Sequence, residues 1–165
     1  MVLGDEMRFK YLFLGFMLLI LAGSMTAIAA ADTDDFGIVG DKAFTVPEDF
    51  EIINETDSNV YMENTDGNQS FVITVLDEDT DPEVLLQVYE DSGYTFNKTY
   101  SVYQRGIYRI TELEFTYKDY IGLLFICQNG NECIFISHGF LDENDFPTDD
   151  DKVALELISS ITDNI

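Results

Sequence analysis

The fold is decided by the stretch Ile121-Gly122-Leu123-Leu124-Phe125-Ile126-Cys127-Gln128-Asn129-Gly130-Asn131-Glu132-Cys133-Ile134-Phe135-Ile136-Ser137. Its two arms are rich in β-branched and aromatic residues, which are typical of strands. The polar centre between the arms contains Asn129-Gly130, the dipeptide that most strongly indicates a tight hairpin turn. We therefore expect two antiparallel strands joined by this turn.

Further strands are predicted on both sides of this hairpin. Val60 to Glu63 and Phe71 to Leu76 are β-branched or aromatic runs, and the turn residues Thr65-Asp66-Gly67-Asn68 join them into a second hairpin. Alternating apolar residues from Tyr94 to Phe115 predict two more strands. A short opening strand ends at Pro47.

Two helices accompany the strands. Thr80 or Asp81 as N-cap and Pro82 in the first turn predict an internal helix that ends at Gly93. Thr148 is the expected cap of a C-terminal amphipathic helix. The apolar face of that helix consists of Val153, Ala154, Leu157, Ile158 and Ile161. The order predicts an α+β fold, an antiparallel β-sheet packed with an internal helix and a C-terminal amphipathic helix.

Three segments together resemble a known family. They are Phe44-Thr45-Val46-Pro47-Glu48-Asp49-Phe50, Phe71-Val72-Ile73-Thr74-Val75 and Asp149-Asp150-Asp151-Lys152. They are similar to the opening segment, a hairpin strand and the closing helix of the PsbP-like (DcrB-like) fold family of small exported proteins. The resemblance covers about residues 43 to 161. It implies a protein that binds or assists other proteins, without naming a ligand.

The first residues have the order of an export signal. A short basic segment, Met7 to Lys10, precedes an apolar run from Tyr11 to Ala31, after which the chain becomes acidic. Small residues in Ala27-Ile28-Ala29 favour signal-peptidase cleavage near Ala29 or Ala31. The alternative is a retained signal anchor, because about 20 apolar residues can span a bilayer. In both cases the positive-inside rule places the remainder outside the cytoplasm.

These features divide the chain into three parts. Residues 1–30 are the signal peptide or signal anchor, residues 31–42 an acidic flexible lead, and residues 43–165 the α+β domain. No lipobox cysteine follows the apolar run, which argues against the lipid anchor of the lipoprotein relatives. We expect an extracytoplasmic protein, either secreted or anchored at the outer face of the cell membrane.

The charge of the chain limits its partners. The formal net charge is −24, with 32 acidic and 8 basic residues, and the first thirty residues contribute nothing to it. Nucleic-acid phosphates and anionic lipid surfaces would be repelled. The expected partner is a protein or a cell-envelope component, and membrane contact is expected only through residues 11–31 if they are uncleaved.

The two cysteines are a disulfide candidate. A three-residue loop at Asn129-Gly130-Asn131 would place Cys127 and Cys133 directly opposite each other, whereas a two-residue Asn129-Gly130 turn would put the thiols on opposite sheet faces. Because exported proteins with two cysteines usually pair them, we expect the bridge. Two cysteines with one histidine do not indicate a zinc site.

Catalytic patterns are lacking in the sequence. His138, the chain's one histidine, follows Ser137 on a predicted strand, so their side chains should point to opposite faces. No nucleophile elbow, metalloprotease motif or phosphate-binding glycine loop is present. We expect no catalytic, cofactor-binding or metal-ligating residue. A hydrolase would require an acid pair such as Glu112 and Glu114 to converge in a pocket.

Two surface features remain. Asp77-Glu78-Asp79-Thr80-Asp81 alternates acids as a calcium loop does, but Pro82 and Val88 stand where that loop needs glycine and glutamate. Because these two positions differ from the calcium-loop pattern, we expect at most weak binding of a divalent cation. The sequons at Asn54, Asn68 and Asn97 are glycosylation candidates.

The sequence therefore predicts a noncatalytic exported or membrane-tethered binding or accessory domain at the outer cell surface. The alternatives are a cation-dependent surface or adhesin-like module and a small extracytoplasmic hydrolase.

Overall fold

The structure is a computed structural model that describes residues 36–76 and 81–164, with the backbone alone for residues 98–100. The predicted export segment, its cleavage candidates Ala29 and Ala31, and most of the acidic run at 77–81 lie outside the described residues. Within the described residues, neither helix is long and apolar enough to cross a membrane.

Strands and helices follow one another in the predicted order. They are β1 (Phe36–Val39), β2 (Lys42–Thr45), β3 (Phe50–Glu55), β4 (Asn59–Asn64), β5 (Gln69–Leu76), α1 (Pro82–Asp91), β6 (Thr95–Arg105), β7 (Tyr108–Tyr117), β8 (Tyr120–Asn129), β9 (Glu132–Phe140), α2 (Lys152–Ser160) and β10 (Thr162–Asp163). The predicted α+β class, with an internal and a C-terminal helix, is confirmed.

The strands form two antiparallel sheets. The large sheet has seven strands in the order β3-β4-β5-β9-β8-β7-β6, and the small sheet has three in the order β1-β2-β10. The predicted hairpin β8–β9 lies inside the large sheet, flanked by β7 and β5. β3 and β6 are the two end strands of this sheet.

The β8–β9 turn is shifted by one residue from the predicted turn. Asn129 pairs with Glu132, so the loop consists of Gly130 and Asn131. Gly130 has a φ of 62°, a conformation that glycine adopts without steric cost. Both Asn-Gly and Gly-Asn are hairpin dipeptides, and the chain uses the second of the two overlapping pairs.

The two helices cover opposite faces of the large sheet. Buried α2 residues, among them Leu157 and Ile158, belong to one core cluster with Phe71 and Phe125. On the other face Tyr89 of α1 lies near Phe135, with a ring-centroid distance of 6.3 Å. Each fully buried Leu, Ile or Phe side chain stabilises the fold by about 2 kcal/mol relative to an exposed one.

The folded domain begins earlier than the predicted boundary at residue 43. Residues 36–39, assigned from the sequence to a flexible lead, form β1 and pair with β2. Gly37 lies against the ring of Phe44, where a Cβ atom would come within 2.2 Å of Cζ. This close approach and the buried Val39 explain why so short a strand is held in place.

The cap of the last helix also differs from the prediction. Asp151, and not Thr148, is the N-cap of α2, and its side chain accepts a hydrogen bond from the backbone N–H of Ala154. Asp is among the preferred N-cap residues, because its short side chain reaches the unpaired N–H groups of the first turn. Asp81 caps α1 as expected, with Pro82 in the first turn.

Candidate functional site

A buried histidine–aspartate pair connects the large sheet to α2. Nδ1 of His138 on β9 lies 2.6 Å from Oδ2 of Asp151, and both side chains are at most 4% exposed. Because a carboxylate only accepts hydrogen bonds, Nδ1 carries the proton in this contact. The other oxygen of Asp151 accepts the N–H of Ala154, so one carboxylate holds both the imidazole and the helix start.

Aromatic rings surround the imidazole. The ring of His138 stacks on Phe71 with a centroid distance of 3.9 Å, and Phe140 and Phe50 follow at 4.1 and 5.9 Å. Nε2 is buried and has no hydrogen-bond partner. A buried polar atom without a partner is uncommon, since it loses its hydration without compensation.

The pair contains two of the three members of a hydrolase triad, but a nucleophile is missing from its surroundings. Nε2 bonds no hydroxyl or thiol of the described residues. Ser137 alternates with His138 along β9 and therefore points to the other face of the sheet, as expected. The arrangement fixes the helix start against the sheet, and buried rings separate it from solvent.

Glu112 and Glu114 are one strand period apart on β7 and share a face, as the sequence predicts. Tyr103 donates a hydrogen bond of 2.8 Å to Glu112. A surface depression of about 480 Å³ lies elsewhere and is lined by Ile38, Gly40, Glu55, Thr56 and Asp57. The two glutamates therefore do not converge in that depression.

A second polar cluster is centred on Lys42 of β2. Nζ of this buried lysine lies 2.8 Å from Glu132 and 2.6 Å from Asp163, and the more distant Asp41 is at 3.6 Å. Tyr108 donates its hydroxyl to the second oxygen of Glu132. The cluster, called the Lys42 cluster below, connects the small sheet with the β8–β9 turn.

Electrostatics within the Lys42 cluster follow from burial and hydrogen bonding. Burial lowers the pKa of Lys42, but its bonds to Asp163 and Glu132 outweigh this and raise the pKa above its ordinary value. For Tyr108, burial and the bond to Glu132 both act in the same direction and raise the pKa. The cluster therefore favours a protonated amine and a protonated phenol.

The disulfide expected between Cys127 and Cys133 is not formed in the structure, where both thiols are free and buried. Cys127 pairs with Ile134 and Gln128 with Cys133, so the two-residue turn puts the cysteines on opposite faces of the sheet. Burial raises the pKa of Cys133 to about 11 and raises that of Cys127 as well. Such thiols are poor nucleophiles, because the thiolate is the reactive form.

The three sequons lie in different surroundings. Asn97 of β6 is exposed, and Asn54 of β3 is half-buried. The amide nitrogen of Asn68 donates to Asp145 at 2.8 Å, and its oxygen accepts from Asn64 at 2.7 Å. A glycan on Asn68 would disturb these two contacts, so Asn68 is a poorly placed candidate.

Metal-ligating side chains are not grouped in the part of the chain that the structure describes, where no three His, Cys, Asp or Glu residues could hold an ion together. Of the acidic run predicted as a loose calcium site, Asp81 alone is described, and it caps α1. The calcium expectation for residues 77–80 stays a prediction.

The fold is PsbP-like. The chain superimposes on the solution structure of cyanobacterial PsbP (CyanoP) from Synechocystis sp. PCC 6803 with a TM-score of 0.51 and 12% sequence identity, covering 86% of this chain and 98% of that one. The predicted family resemblance is confirmed at the level of the fold. No protein-family model and no curated protein sequence matches the chain.

A second solved structure shares this architecture. It is a crystal structure from Bacteroides thetaiotaomicron VPI-5482, with a TM-score of 0.53 and 16% identity over 74% of this chain. The match covers 45% of that chain, so the present chain spans less than half of its length. At such identities the likeness defines the fold and assigns no ligand.

Sequence reasoning identified His138 but missed its partner Asp151, and it missed the Lys42 cluster. Asp151 ends a run of three aspartates that looks like ordinary charge at a helix start. For Lys42 a weak signal was present, because it is one of only 8 basic residues in an acidic chain. Its partners lie 90 and 121 residues away, which no local pattern could indicate.

Proposed function

We propose that the chain is a noncatalytic accessory domain that binds another protein or an envelope component at the outer surface of the cell membrane. The observation that carries this proposal is the likeness to CyanoP, which extends over nearly the whole of that protein. The PsbP-like fold is the fold of a family whose members mostly bind or assist other proteins.

Three further features support the proposal. The basic, apolar and small residues of the first thirty positions have the order of an export signal. The one histidine is enclosed by aromatic rings and the two thiols are buried, so neither the imidazole nor a thiol is accessible to a substrate. Large apolar side chains are nevertheless exposed, among them Phe36, Val102 and Ile107.

The compartment is tested with a membrane-impermeant amine reagent on intact cells of the native host. Lys118 and Lys152 are exposed and should be labelled before lysis, and a cytoplasmic protein of the host should stay unlabelled. The nonreduced intact mass then shows whether the chain begins near Ala30 or keeps residues 11–31. Labelling that appears only after lysis would contradict the proposal.

Binding is tested on the same cells with an amine-reactive crosslinker. We expect one discrete adduct that contains this chain and one other component of the envelope, and its mass identifies that component. The control is an unrelated surface protein of similar abundance and charge, which should not give the same adduct. Absence of any adduct while the lysines are accessible would contradict the binding role.

A further inference from the structure

The strand β6 ends the seven-stranded sheet, and its outer edge pairs with no other strand of the described residues. We call this outer backbone edge of Thr95–Arg105 the β6 edge. A register shift between Phe96 and Tyr100 interrupts the pairing with β7, which leaves Tyr100–Arg105 as a regular stretch. In an antiparallel edge strand every second residue points its N–H and C=O groups outward, and a regular stretch of six residues is long enough to accept another strand.

The charge of this region is opposite to that of the rest of the chain. From Ser92 to Thr111 there is no Asp or Glu, although the chain has 32 of them. The same twenty residues contain Lys98, Arg105 and Arg109, three of the 8 basic residues. At the other end of the sheet, β3 carries the exposed acids Glu51 and Glu55. The two sheet edges therefore differ in the charge of the segment that they would accept.

The arginines are available for a partner. Nε of Arg105 donates to Ser159 at 2.7 Å, which holds the guanidinium at the end of the strand, and Arg109 is exposed. Neither arginine forms an ion pair within the described residues, where Lys42 and His138 supply the cations of all such pairs. An incoming carboxylate could thus bond a guanidinium without displacing an acid of this chain.

Exposed apolar side chains lie along the same edge. Val102 is 52% exposed in the middle of β6, and Ile107 is 63% exposed in the turn that follows it. Gln104 pairs with Arg109 across the hairpin, two residues from Val102, so the three side chains share one face. Arg105 lies on the opposite face of the strand. An added strand with alternating apolar and acidic residues would place its apolar side chains beside Val102 and its acidic side chains on the face of Arg105.

We propose that the β6 edge binds an extended acidic segment of a partner protein by β-strand addition. This inference rests on the proposed binding function and names the surface and the chemistry of the partner. A second copy of this chain fits poorly for two reasons. Pairing two β6 edges would bring their arginines together, and two chains that each carry a formal net charge of −24 repel each other. Charge complementarity therefore selects an acidic strand.

The test uses the full chain and two labelled peptides, Thr-Glu-Val-Glu-Thr-Glu-Val-Glu and the same peptide with lysine in place of each glutamate. Net charge alone predicts that the acidic chain prefers the lysine peptide. We expect the glutamate peptide to bind about tenfold more tightly in fluorescence anisotropy at low salt, and to slow amide hydrogen exchange in Tyr100–Arg105. Tighter binding of the lysine peptide, or slower exchange elsewhere, would overturn the proposal.

Charge-reversal variants test whether Arg105 and Arg109 contribute to the affinity for the glutamate peptide. R109E changes an exposed position on the face of Val102 and should weaken binding of the glutamate peptide slightly. R105E/R109E also reverses the arginine on the acidic face of the added strand, and it should weaken binding by about tenfold or more. The matched control K118E/K152E makes the same charge change at exposed positions outside the stretch Tyr100–Arg105 and should leave the affinity within about twofold. Equal weakening by both double variants would overturn the proposal.

Analytical sedimentation of the full chain tests whether a second copy of the chain, and not an acidic segment, occupies the β6 edge. A dimer that the glutamate peptide does not displace would mean that a second copy covers the edge, which would contradict the acidic-segment proposal. The proposed accessory function has a separate readout in the surface adduct on intact cells. If the adduct persists in R105E/R109E, the accessory function is still supported, but the β6 edge is not the surface that binds the partner.

Discussion

The His138–Asp151 pair and the Lys42 cluster are both polar groups inside an apolar domain, and they differ in their access to water. Both members of the first are buried, with side-chain exposures of 2 and 4%. In the second the lysine is buried, but its partners Glu132 and Asp163 are 23 and 76% exposed. A carboxylate that loses Lys42 can be hydrated, whereas neither side chain of the first pair can be hydrated when it loses its partner.

The difference shows that a short ion-pair distance does not by itself measure its contribution to stability. The bonds of Lys42 to Asp163 and of His138 to Asp151 are both 2.6 Å long. Because an unpaired buried charge keeps its full desolvation cost, the buried pair should be the more sensitive to truncation. The exposed partners of Lys42 are screened by salt as well.

The largest effect is expected from Asp151→Ala. It leaves His138 without its partner and removes the cap of α2, so it should lower the free energy of unfolding by about 4 kcal/mol. Urea denaturation of the variant checks the value. The neighbouring exposed Asp150→Ala is the control and should change stability by less than about 0.5 kcal/mol. A similar loss in both variants would contradict the structural role of the pair.

A double-mutant cycle separates the pair from the cap. Asp151→Ser keeps a capping oxygen but loses the imidazole contact, and His138→Phe adds a ring to the aromatic stack but leaves the carboxylate buried. We expect the double variant to lose less stability than the sum of the two single variants, with a coupling of about 2 kcal/mol. Additive losses would show that the two side chains act independently.

Lys42→Met should cost less, about 1 to 2 kcal/mol, because the methionine keeps the packing of the lysine stem and the exposed carboxylates regain water. The cost should shrink at high salt, although the acidic domain as a whole becomes more stable there. Chemical denaturation at low and high salt measures both effects. If the stability loss of Asp151→Ala changed with salt while that of Lys42→Met stayed constant, the expected difference between the buried pair and the Lys42 cluster would be contradicted.

The smallest expected effect concerns the hydroxyl of Tyr108. Burial and its bond to Glu132 raise the pKa of Tyr108 in the folded state, so its stabilising contribution is complete below the unfolded value of about 10 and declines as the pH rises above it. Tyr108→Phe should therefore cost about 1 kcal/mol near neutral pH and less at about pH 11. Urea denaturation midpoints of both proteins between neutral pH and about pH 11 measure this difference. A stability loss of Tyr108→Phe that is the same at every pH would contradict the proposed role of the hydroxyl.

Much of the fold could be predicted because its signals are local. The β8–β9 hairpin, the β4–β5 hairpin and the proline start of α1 each depend on residues that are neighbours in the sequence. The exact turn could not be predicted, because Asn129-Gly130-Asn131 contains two overlapping turn dipeptides. The outcome for Cys127 and Cys133 was decided by the length of the loop, which has two residues and not the three that would place the cysteines opposite each other.

The remaining features depend on contacts between distant segments. β1 contains only four residues in an acidic stretch, and the groove beside Phe44 that accepts Gly37 exists only in the folded chain. The partner of His138 is one of three consecutive aspartates, and the sequence does not indicate that Asp151 is the one that contacts the imidazole. The charge contrast of β6 was readable in the sequence, but its place at a sheet edge required the topology.

The central claim, an exported domain that binds through the β6 edge, is tested most directly by photo-crosslinking on intact cells of the native host. A benzophenone residue is placed at Val102 or at Val84, which are 52 and 56% exposed on β6 and α1. We predict an adduct with an envelope protein from position 102 and none from position 84. No adduct from position 102, or equal adducts from both, would contradict the claim.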